Sequence, residues 1–106
     1  MTDFRCVNLI YEQINPKGLK QFITEFSLKN GKTGTEIVTM LGSNCRKGIR
    51  TIERDCFGSP ERVIDNVNGR IETYTPAPRP HSGVMQQVKG MPDSYLDISM
   101  DELCQY

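Results

Sequence analysis

The sequence predicts a mainly α-helical domain with one small β-hairpin (α+β): three helices, then the hairpin, then an extended connection and a short acidic tail. Three observations lead there. Residues 15 to 56 repeat apolar side chains at intervals of three and four, the period of a helix with one buried face. Asn68-Gly69 sits between two segments of alternating character, the signature of a tight hairpin turn. Pro76-Ala-Pro-Arg-Pro80 cannot sustain a helix or a central strand.

The elements follow in order. Residues 4 to 14 admit two readings, because Phe4, Val7, Tyr11 and Ile14 have helical spacing whereas Val7, Leu9 and Tyr11 alternate as in a strand; helix is preferred. Asn15-Pro16 opens the first clear helix, asparagine as N-cap and proline at the first helical position, where its missing N–H had no partner to lose. Leu19, Phe22, Ile23 and Phe26 form its core face, and Asn30-Gly31 closes it. Thr35 caps a second helix with Ile37, Val38 and Leu41 buried, and Gly42 ends it. A third helix covers residues 44 to 56. The hairpin spans Arg62 to Thr75. A two-residue loop at Asn68-Gly69 sets Asp65 opposite Glu72, a like-charge pair that argues for a longer or bulged loop. Residues 76 to 83 form an extended proline-rich linker, and Ser99-Met-Asp-Glu102 matches a capping box for a short helix in a partly disordered tail, residues 84 to 106.

At 106 residues the chain is one domain at most, placed at residues 1 to 75. Its formal net charge is zero, but the charge is segregated. Residues 15 to 54 carry Lys17, Lys20, Lys29, Lys32, Arg46, Lys47, Arg50 and Arg54 against Glu25, Glu36 and Glu53, whereas residues 90 to 106 carry Asp93, Asp97, Asp101 and Glu102 with no cation. That asymmetry suits a basic binding domain with an acidic tail. Cys6, Cys45, Cys56 and Cys104 are too scattered to define a zinc site, and with no export signal or membrane span in the sequence they read as reduced cytoplasmic thiols.

The third helix carries the functional expectation. At 100 degrees per residue Cys45, Ile49, Ile52 and Cys56 fall within about 60 degrees of one another, while Arg46, Arg50 and Arg54 follow the i, i+4, i+8 row with Lys47 beside them. One side packs and the other is cationic. Three helices followed by a hairpin resemble the winged helix-turn-helix class of DNA-binding domains, over residues 15 to 75. One departure is that Ile49 and Ile52 fall one residue later after Gly42 than is usual, with Gly48 in an expected apolar place. The resemblance implies a small regulator of transcription that binds double-stranded DNA. Arg46, Lys47, Arg50 and Arg54 would meet phosphates and base edges in the major groove, and Arg70 on the wing tip the backbone. Ser43 and Asn44 serve either as caps or as DNA contacts. A homodimer fits such domains, which often read two half-sites.

No cofactor, metal or catalytic constellation is expected. The single histidine, His81, lies in the proline-rich linker, and no phosphate-binding loop or nucleophile elbow is present. The alternative expectation is a non-enzymatic protein-interaction module or inhibitor, in which residues 91 to 106, mixing acids with Tyr95, Leu96, Ile98, Met100 and Leu103, hold a protein partner.

Overall fold

Almost every long segment of this chain is a strand. The computed structural model describes residues 5–41 and 46–105, and among them it contains one antiparallel sheet. Its strands are β1 (Cys6–Ile14), β2 (Lys20–Ser27), β3 (Thr33–Leu41), β4 (Arg46–Arg54), β5 (Pro60–Val67), β6 (Arg70–Pro76), β7 (Val84–Val88) and β8 (Ser94–Leu96), each paired with its sequence neighbours. One helical turn, α1 (Met100–Leu103), follows, and a 3-10 turn at Lys29–Gly31 joins β2 to β3.

The predicted three-helix domain, and with it the helix-turn-helix and winged-helix assignment, is therefore corrected to an all-β sheet. The physical reason lies in side-chain branching. The segments expected to be helices hold Ile23, Thr24, Thr35, Ile37, Val38, Thr39, Ile49, Thr51 and Ile52, residues whose χ1 freedom a helix restricts and a pleated strand accommodates. The three-and-four spacing arose because both faces of the sheet carry apolar groups. In β2, Ile23 points to one face while Phe22 and Phe26 point to the other.

The supposed caps became turns by the same chemistry. Asn15 Oδ1 accepts the backbone N–H groups of Lys17 at 3.0 Å and Leu19 at 2.9 Å, and Asn15 N donates to Leu19 O at 2.9 Å, which closes the β1–β2 hairpin. Asp55 repeats the arrangement between β4 and β5, its Oδ1 accepting from Phe57 and Ser59 at 2.9 Å each. The Asn68-Gly69 turn joins β5 to β6 with both φ angles positive, 56° and 86°, as a type I′ turn requires. Residues 77–83 form a closed connection between β6 and β7, with Ala77 N donating to Gly83 O at 3.0 Å, and His81 stacks on Tyr95 with ring centroids 3.8 Å apart.

The core lies on one side, which we call the inner face. Ile23, Ile37, Ile52, Val63, Tyr74 and Val84 project there and are buried. Residues 94–104 fold back over them: Leu96, Ile98, Met100 and Leu103 pack against this cluster and Cys104 is buried within it. Ser99 caps α1 by accepting from Glu102 N at 3.1 Å.

Candidate functional site: an inner-face pocket and an open outer face

Strand register places the polar side chains of the inner face in rows. One row runs Tyr11, Ile23, Ile37, Arg50, Asp65, Glu72 across β1 to β6, and the next runs Gln13, Gln21, Thr39, Gly48, Val67, Arg70. Asp65 and Glu72 do stand opposite each other across a two-residue loop, and the clash is relieved from both sides. Arg50 makes a bidentate pair with Asp65, Nε to Oδ1 at 2.7 Å and Nη2 to Oδ2 at 2.9 Å, and its Nη1 donates to Leu103 O at 2.7 Å. Glu72 Oε2 accepts from Gln86 Nε2 at 3.0 Å and from the Tyr74 hydroxyl at 3.3 Å.

Electrostatics follow from burial. Desolvation opposes the Arg50 charge, but the hydrogen bonds and charge of Asp65 outweigh it and hold the guanidinium above its ordinary range. Burial raises the Tyr74 phenol, against the Gln86 hydrogen bond and with the help of the Glu72 charge. Burial likewise pushes the Cys104 thiol up, against the pull of Arg54 and Arg50.

In the second row a cavity of about 740 Å³ opens between the β1–β2 turn and β5. Leu19, Ile37, Leu41 and Val67 supply its apolar wall, and Gln21, Thr39, Arg50 and Asp65 its polar groups. Gly48 lets Leu41 lean over its backbone, since a Cβ there would come within 3.2 Å of Leu41 Cδ1.

The outer face has a different character. Val7, Ile10, Ile14, Phe22 and Ile71 project from it and are exposed, with Val38, Ile49 and Ile64 half-buried between them. Ile10 is 70% exposed. No described residue forms a second layer over this face. One aromatic is covered: the Phe26 ring lies across the Gly34 backbone of β3, with the Arg5 guanidinium 4.0 Å above its centroid.

The residues expected to contact DNA do not form one surface. Ser43 and Asn44 lie outside the described residues, and Arg46 starts β4 opposite Leu41. Lys47 is exposed on the outer face, whereas Arg50 is on the inner face in its ion pair. Arg54 Nη1 donates to Gly58 O at 3.3 Å, and Arg70 stands 3.9 Å from Glu72. The pocket groups Gln21, Thr39 and Asp65 were missed. The one available signal was the Asp65–Glu72 clash, which called for a cation from a third strand.

Among the described residues no group of three or more His, Cys, Asp or Glu is placed to hold a metal ion, and no helix is long and apolar enough to cross a membrane. Comparison with family models, with curated proteins and with solved structures finds no match.

Proposed function

We propose that this chain is a non-enzymatic protein-interaction module that engages a second copy of itself through β1 and the outer face beside it. The carrying observation is the exposure of Val7, Ile10, Ile14, Phe22 and Ile71 on one uncovered face, because large apolar patches on a folded surface mark association sites.

Three features favour an identical chain as the occupant. β1 is an outermost strand of nine residues without proline, whereas β8 at the opposite edge has three. A two-fold axis beside β1 extends the sheet and joins the two apolar patches into one, since Val7, Ile10 and Ile14 lie at that border. The charges beside that border are already paired within the chain, Arg5 with Glu36 at 3.6 Å and Glu12 with Lys20 at 3.8 Å, so they do not oppose the approach of a like surface. A β-bulge between Val7 and Leu9 bends the start of the strand and leaves Leu9–Ile14 as its regular part.

The tail reading is less favoured, because Leu96, Ile98, Met100 and Leu103 pack against the core and leave Met91 and Tyr95 as its exposed apolar groups. The duplex-DNA reading rested on a continuous cationic helix face. Those cations now stand on two faces of a sheet, and Arg50 is neutralised by Asp65.

Sedimentation equilibrium tests the proposal. The apparent mass should climb from 12.0 kDa toward twice that value as concentration rises through the micromolar range, and Ile10→Lys should hold the chain monomeric with an unchanged far-UV spectrum. A wild-type chain that stays monomeric up to about 500 μM, or association indifferent to Ile10→Lys, overturns it.

A further inference from the structure

The inner-face pocket has no part in that association, and its chemistry selects a ligand of its own. Its volume of about 740 Å³ falls within the range of small-molecule sites. Four apolar side chains make its wall, so the body of the ligand is apolar.

The polar groups specify the rest. Gln21 is 3% exposed, a polar side chain held at depth in a directed ladder: Gln13 Nε2 donates to Gln21 Oε1 at 2.7 Å, and Gln21 Nε2 donates to Thr39 Oγ1 at 3.1 Å. As an acceptor from Gln21, the Thr39 hydroxyl still has its own hydrogen to offer to a group in the cavity. Among the described residues of the wall, Arg50 and Asp65 cancel each other in a bidentate pair and the Lys17 charge stays in water, so an ionised ligand held at depth would lose its hydration without gaining a buried counter-charge. Lys17 is at the rim and exposed.

We infer that this pocket binds a small uncharged ligand with an apolar body and one hydrogen-bond acceptor, the acceptor meeting the Thr39 hydroxyl and the body lying against Leu19, Leu41 and Val67. Gly48 matters because a Cβ there would stand 3.2 Å from Leu41 Cδ1 and 3.8 Å from Val67 Cγ2, so a larger residue pushes the Leu41 side chain into the cavity.

The test uses a neutral environment-sensitive naphthylamine dye and its sulfonated anionic counterpart. The neutral dye should bind saturably at one site per chain and at least tenfold more tightly than the anion. Gly48→Val should weaken it tenfold or more with an unchanged far-UV spectrum. Thr39→Val, nearly the same shape, should leave the dye bound but abolish any advantage of a carbonyl-bearing analogue over the plain dye. Phe22→Glu, on the outer face, should change nothing. Absence of saturable binding, equal binding of the anion, or loss through Phe22→Glu with Gly48→Val silent overturns the inference.

Discussion

Ile52 and Ile10 are the same residue type on opposite faces of one sheet, yet one is wholly buried and the other 70% exposed. The difference comes from the chain's last residues. Residues 94–104 fold back over the inner face and bury it, and nothing among the described residues does this for the outer face. A sheet that is apolar on both sides needs a layer on each; the chain supplies one over the inner face, and the proposed second copy would supply the other.

That contrast is broken most severely by truncation. Ile52→Ala should cost about 3 kcal/mol in chemical denaturation, whereas Ile10→Ala in the dilute monomer should change stability by less than about 0.5 kcal/mol. Similar losses at both sites would mean the two faces are equally packed.

Ion pairs sharpen the comparison at smaller scale. Asp65→Ala strands Arg50, three-quarters buried, and should cost about 2 kcal/mol, less than for a fully buried pair because water still reaches both groups. The outer-face pair Lys20–Glu12, at 3.8 Å and more than half exposed, should give a coupling within about 0.5 kcal/mol in a double-mutant cycle.

Gly34→Ala tests the one closed spot on the outer face. A Cβ there displaces the Phe26 ring, so a loss of about 1–2 kcal/mol is expected in the same denaturation assay.

The smallest effect depends on pH. Cys104 and Tyr74, both on the inner face, have folded values raised above their ordinary 9.0 and 10.0, so the folded state holds their protons more tightly than the unfolded chain does. Their contribution is complete below those ordinary values and is lost as pH rises through the folded ones. Thermal melts should show stability falling as pH climbs above about 9, and Cys104→Ala with Tyr74→Phe should flatten the decline.

Sequence marked the breaks better than the elements between them. Asn15, Asn30-Gly31 and Asn68-Gly69 all sit at turns, and Ser99 caps its helix. An Asn side chain that accepts backbone N–H groups does the same at a helix start and in a hairpin, so the punctuation was legible and its type was not. Arg46, Arg50 and Arg54 show the second ambiguity. Positions four apart share a helix row and equally share strand parity, so the spacing could not distinguish the two. The apolar set of that segment could have done so: Ile49 and Ile52 share a helix stripe but fall on opposite sides of a strand. The pocket was hidden for a further reason, since Gln21, Thr39 and Arg50 converge only when two successive hairpins fix their register.

Amide hydrogen exchange along β1 at two protein concentrations tests the central claim that the uncovered side awaits a second copy. The account predicts that in dilute solution only the amides of Cys6–Ile14 directed at β2 are protected, and that at high concentration the outward-directed amides between Leu9 and Ile14 become protected too, while β8 is unchanged. Protection of β1 that is the same at both concentrations would contradict it.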